Sequence, residues 1–213
     1  MTRKHETGFT LVELSIVLVV IALLIGSMYV GGSVLIERGR VVALLAKIKD
    51  LGSAARAFKT QYGYFPGDLP NAGTLITANG GISAGCNYAA GGGVGDGLVN
   101  TETESACALE HLIRAGLLTK ADFDNVTGSF VINSEFGGGR VSLWFNSTTN
   151  ENAIRITALP CSIALELDTK LDNPNANPLA GGFVVGLDNT PAVINTCTSG
   201  GANDPVATLI VRY

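Results

Sequence analysis

With 213 residues, a net charge of −4 and a mean hydropathy of +0.33, the chain has room for one membrane segment, one modest globular domain and little else. Its 14 Lys and Arg against 18 Asp and Glu leave no basic surface to neutralise a phosphate backbone, so no nucleic-acid partner is expected. Apolar residues crowd the first quarter while Gly, Asn, Thr and Ser dominate the rest, a composition of short strands joined by long loops.

The first element is GFTLVELSIVLVVIALLIG, residues 8–26, behind a short leader with Arg3 and Lys4. Between Leu14 and Ile36 lie 23 residues without a charge, and a helix of that length reaches about 34 Å, enough for a ~30 Å hydrocarbon core. Basic residues precede the run and the first acid after it is Glu37, so the N-terminus is expected to stay cytoplasmic and everything beyond the run to be exported. Thr10 and Glu13 have the spacing of a capping box, which suits a soluble helix start; a run of 23 uncharged residues does not. A secretory signal cut near Gly31 and Gly32, or a plain anchor, leaves Glu13 unexplained, since a charge in an apolar stretch is costly unless paired.

Gly8 followed by FTLVELSIVLVVIALL resembles the class III signal of type IV prepilins and type II secretion pseudopilins. The resemblance implies that a membrane aspartyl peptidase cuts between Gly8 and Phe9 and methylates the amine of Phe9. It also implies that Glu13, five residues into the mature chain, pairs with the amino-terminal charge of a neighbouring subunit. Implied partners are identical or related pilin subunits, the prepilin peptidase, an inner-membrane assembly platform, and the membrane itself before assembly. Implied location is a single-pass inner-membrane precursor that later enters a periplasmic or extracellular filament. The pairing is physically reasonable, because a lone ammonium and a lone carboxylate each resist transfer into an apolar setting. Phe9 and Glu13 are also four residues apart, so the spacing equally permits pairing within one subunit.

After Glu37, Val41, Leu44, Ile48, Leu51, Ala55, Phe58 and Tyr62 recur at steps of three and four, predicting a helix that continues to Tyr62 and lays an apolar stripe on a sheet. Arg38, Arg40, Lys47, Lys49, Asp50, Arg56 and Lys59 fall off the stripe as a solvated face. Gly26, Gly31 and Gly32 each weaken a helix by about 1 kcal/mol relative to Ala. They suit either close packing between helices or a segment that loosens when the subunit enters a filament.

In YGYFPGDLPNAG, Pro66-Gly67-Asp68 is a stop and turn signal, with Tyr62, Tyr64 and Phe65 expected to seal the junction; the piece is similar to the region past the long helix of prepilin-like proteins. A helix is predicted over 104–117, strands at SFVINSEF, GRVSLWFN, AIRITAL, GGFVVGL and ATLIVRY, and a short helix from Cys161 to Lys170. The cysteines Cys86, Cys107, Cys161 and Cys197 lack CxxC spacing, which disfavours metal and redox sites. Of their three possible pairings, Cys86 with Cys107 and Cys161 with Cys197 is favoured because each closes a local loop.

No constellation for catalysis emerges. His111 would be the sole histidine after leader removal and reads as a packing residue rather than a general base. GGGVGDG lacks the Lys and Ser or Thr of a phosphate loop. Asp96, Asp168, Asp172 and Asp188 do not follow a calcium-loop spacing. NVT at Asn125 and NST at Asn146 fit the glycosylation pattern. The expectation is an α+β, pilin-like fold: a long N-terminal helix packed against an antiparallel sheet, in a loop-rich exported domain with disulfides. Residues 1–8 are the leader, 9–36 the membrane or filament-core half of the helix, 37–62 its amphipathic half and 63–213 the exported domain. The expected function is a non-enzymatic filament subunit without cofactor or metal, its outer surface available for adhesion. The alternatives are a secretion pseudopilin and a membrane-anchored binding domain that never polymerises.

Overall fold

The computed structural model describes residues 10–77, 79–89, 94–119, 121–125, 128–146, 150–171, 184–186 and 205–213, excepting the side chains of 27–34, 161, 165, 184–186 and 205–209. It forms two compact units, Met1–Arg40 and Val41–Tyr213. Helix α1, Leu11–Tyr62, is 52 residues long and contains no proline, so nothing in it removes a ladder N–H.

In the first unit, side chains from Leu11 to Gly26 all stand exposed on the isolated chain, from 86 % at Leu11 to 45 % at Ile21. Leu, Val and Ile occur all round this part of the helix, so no polar face turns to water. Among the described residues no helix is long and apolar enough to cross a membrane; residues 27–34 of the charge-free run have no described side chains.

In the second unit, Val41, Leu44, Ile48, Leu51, Ala55 and Phe58 are all buried, the outcome of their alternating spacing. Their partners come from a six-stranded sheet: β1 Asp122–Asp124, β2 Ser129–Asn133, β3 Arg140–Asn146, β4 Glu151–Pro160, β5 Val184–Gly186 and β6 Pro205–Arg212. The order is β1-β2-β3-β4-β6-β5, with every neighbouring pair antiparallel. Val141 lies opposite Ile156 and Leu143 opposite Ile154, four buried side chains that share the core with the α1 stripe. The fold is therefore α+β and pilin-like, a long N-terminal helix with an antiparallel sheet.

Four short elements accompany the sheet in this unit. Helix α2 is Ala72–Leu75, and a 3-10 turn spans Ala84–Cys86. Helix α3, Glu102–Arg114, begins and ends earlier than the predicted 104–117. Its start is fixed by Thr101, whose hydroxyl accepts from Glu104 N–H while the Glu104 carboxylate accepts from Thr101 N–H. Its end is fixed by Gly116, which adopts φ 74°, a conformation suited to glycine. Helix α4 covers Cys161–Leu171.

Some expectations are corrected. Strand β1 was not anticipated; its DFD sequence has no strand pattern and pairs through Phe123 and Phe130, whose rings meet edge-on at 5.3 Å. Tyr64 is the more exposed of the two junction tyrosines, at 37 %, whereas Tyr62 lies against Phe58 with ring centres 4.5 Å apart. Lys47 is not merely solvated: its ammonium donates to Asn133 O at 2.8 Å and to Glu135 at 2.6 Å, tying α1 to the end of β2. Asn146 is buried, which does not suit an acceptor of glycan. Gly139 shows close backbone approach, since a Cβ there would strike the Thr157 carbonyl oxygen. Gly139→Ala is accordingly expected to lower the thermal midpoint by several degrees, the effect of roughly 1–3 kcal/mol of overpacking, measurable by melting in detergent.

Candidate assembly site and buried polar junction

Two places carry the groups singled out by sequence. The first heads α1. Thr10 precedes the helix, and Glu13 stands in its first turn, where the free N–H groups and the helix dipole favour a carboxylate. Glu13 Oε2 accepts from both Thr10 N–H and Thr10 Oγ1 at 2.9 Å, and Glu13 N–H donates back to Thr10 Oγ1 at 3.3 Å. The capping-box spacing is thus realised as a reciprocal pair. One turn of the helix is closed by the same acid that the resemblance assigns to assembly. Gly8 and Phe9 lie outside the described residues.

The second place is a polar junction inside the outer unit. The turn at Pro66-Gly67-Asp68 enters it with Gly67 at φ 94°; a Cβ on Gly67 would fall on the Glu104 carbonyl oxygen, so the turn can rest against α3 only as glycine. Gly67 N–H donates to His111 Nδ1 at 3.0 Å, and His111 Nε2 lies 3.0 Å from Cys86 O. The ring is fully buried and stacks near Phe58, centroids 6.1 Å apart. Burial holds the imidazole below its ordinary pKa, against the hydrogen bond to Cys86 and the charge of Glu110. The neighbouring Asp68 is also buried; its carboxylate accepts from Gly95 N–H and, at 2.8 Å, from Gly97 N–H. Burial raises the Asp68 carboxyl above its usual range, while these two donors oppose the rise.

Cys86 and Cys107 form a disulfide between the 3-10 turn and α3, and Tyr88 Oη donates to Cys107 Sγ at 2.8 Å. Cys197 and the Cys161 side chain, hence that expected pair, lie outside the described residues. Replacing Cys86 and Cys107 together by serine should cost about 3 kcal/mol for a loop of this length, seen as a fall in urea midpoint. The parent protein under reductant should approach the same value.

Sequence reading missed the burial of Asp68, Glu104 and Glu110. The available signal was the Thr101-x-x-Glu104 capping box. Glu110 accepts from Ser83 N–H and Oγ at 2.7 Å, so its charge serves a loop. A cleft of about 230 Å³ between α3 and strands β2 to β4 is edged by Glu102 and Arg155. Those two are bonded to each other at 2.9 and 3.0 Å, with Arg155 also lying over the Trp144 ring, so both charges are structurally engaged. Among the described residues no group of three or more His, Cys, Asp or Glu could hold a metal ion. Of the aspartates considered for calcium, Asp96 accepts from Leu98 N–H, and Asp172 and Asp188 lie outside the described residues.

Residues 3–29 match the family model described as the prokaryotic N-terminal methylation motif, the class III signal of type IV pilins and pseudopilins. This match is confined to the N-terminal segment, where it supports a type IV pilin or pseudopilin type of protein. No curated protein and no solved structure matches the chain.

Proposed function

We propose that the chain is a structural subunit of a type IV pilus or pilus-like filament, cut between Gly8 and Phe9 and assembled through the first part of α1. The observation that carries this reading is an exposed helix apolar on every side, headed by one acid, inside the methylation motif. Such a surface is stable only in lipid or among like helices. Residues 9–36 serve as membrane anchor in the precursor and as filament core after assembly, and residues 63–213 are the exported part. The Cys86–Cys107 bond supports export to an oxidising compartment. Glu13 meets the amine of Phe9 on an adjacent subunit, within an assembly built by the inner-membrane platform.

Mass spectrometry of protein purified from sheared filaments tests this reading. The expected N-terminus is Phe9 with one added methyl on its amine. An intact Met1 terminus, or a cut near Gly32, would overturn it.

A further inference from the structure

We infer that His111 is an acid-sensitive latch, holding the Pro66–Asp68 turn against α3 while its ring is neutral and releasing it when the ring takes a proton. The geometry admits only one neutral form. Gly67 N–H can only donate, so His111 Nδ1 must accept; Cys86 O can only accept, so Nε2 must carry the hydrogen. Protonation puts a second hydrogen on Nδ1, facing the Gly67 N–H. Two donors then oppose each other at a site closed to water, and an unmade buried hydrogen bond is expensive.

Three segments meet at the ring. The turn supplies Gly67, followed by Asp68, whose carboxylate is held by Gly95 and Gly97. The 3-10 turn supplies Cys86 O and is secured covalently to α3 by the disulfide. The long helix supplies the Phe58 ring. Among charged neighbours, Glu110 on α3 favours the cation and is itself bonded to Ser83, with Arg114 4.0 Å away. Glu104 is engaged in capping, Lys59 of α1 sits over Phe65, and Tyr88 donates to Cys107. Because the disulfide still holds the 3-10 turn, the movable partner is the 66–68 turn together with the 95–97 backbone that Asp68 grips.

The direction of the pH effect follows from burial, which depresses the closed-state ring below the ordinary 6.5. The latch is fully effective above that value and weakens as pH falls from it towards the closed-state value. Asp68 works in the opposite sense nearer its ordinary 3.8, because its raised carboxyl takes a proton more readily in the closed state.

Hydrogen exchange read by mass spectrometry on the full chain in detergent, corrected for intrinsic rates, tests the latch between pH 7.5 and 5. Protection of a peptide spanning 63–69 should fall once pH is below about 6.5, by at most about tenfold per pH unit and less steeply as the closed-state value is approached. A peptide spanning 48–58 should stay protected. In His111→Gln the 63–69 peptide should lose its pH dependence. Glu110→Gln, which does not depend on the first variant folding, should let the acid loss continue to lower pH and end larger. The inference is overturned by flat protection in the parent, by the same acid loss in His111→Gln, by an unaltered profile in Glu110→Gln, or by parallel opening of 48–58.

Discussion

Glu13→Gln should insert in the membrane and be cleaved like the parent, yet yield filaments at about a tenth of the parental level or less, the scale expected when one member of a desolvated charge pair is lost. Glutamine keeps nearly the shape of glutamate and still offers an oxygen to Thr10 N–H, so the capping box survives. What disappears is the negative charge alone. Thr10→Ala makes the complementary change, removing the hydroxyl that binds Glu13 while leaving the charge in place. If filament assembly rests on charge pairing with a Phe9 amine, the glutamine variant is the more damaging. Comparing sheared filament with membrane-fraction protein separates assembly from insertion, and parental filament yield from Glu13→Gln would remove the mechanism.

The second large effect is expected in the outer unit. Phe58 is fully buried on the α1 stripe, against Tyr62 and the face of His111. Phe58→Ala should destabilise this unit by about 3–5 kcal/mol, the cost of lost burial plus the cavity left behind. Val42, two residues from the buried Leu44 but 59 % exposed, should tolerate alanine within about 0.5 kcal/mol. Urea unfolding followed by the single tryptophan distinguishes them; equal midpoints would mean that the stripe is not what holds the helix to the sheet.

Both predictions concern α1, and that is where reading residues alone went furthest. The charge-free run, its lone carboxylate and the following stripe are local patterns with helical periodicity, visible without knowing any distant partner. The α3 and α4 helices and the main strands were placed to within a few residues for the same reason. Strand β1 was not, because its three residues become a strand by pairing with β2 rather than through their own pattern.

The polar junction lay beyond such patterns. Gly67 and His111 are 44 residues apart, and Asp68 meets Gly97 across 29. Nothing near His111 in the chain reveals that one nitrogen must accept and the other donate, or that a buried carboxylate sits beside it. Periodicity reports which face of an element avoids water, a property of neighbouring residues. The partners of a buried polar atom depend on how remote segments close upon one another, and only the packed chain brings those segments together.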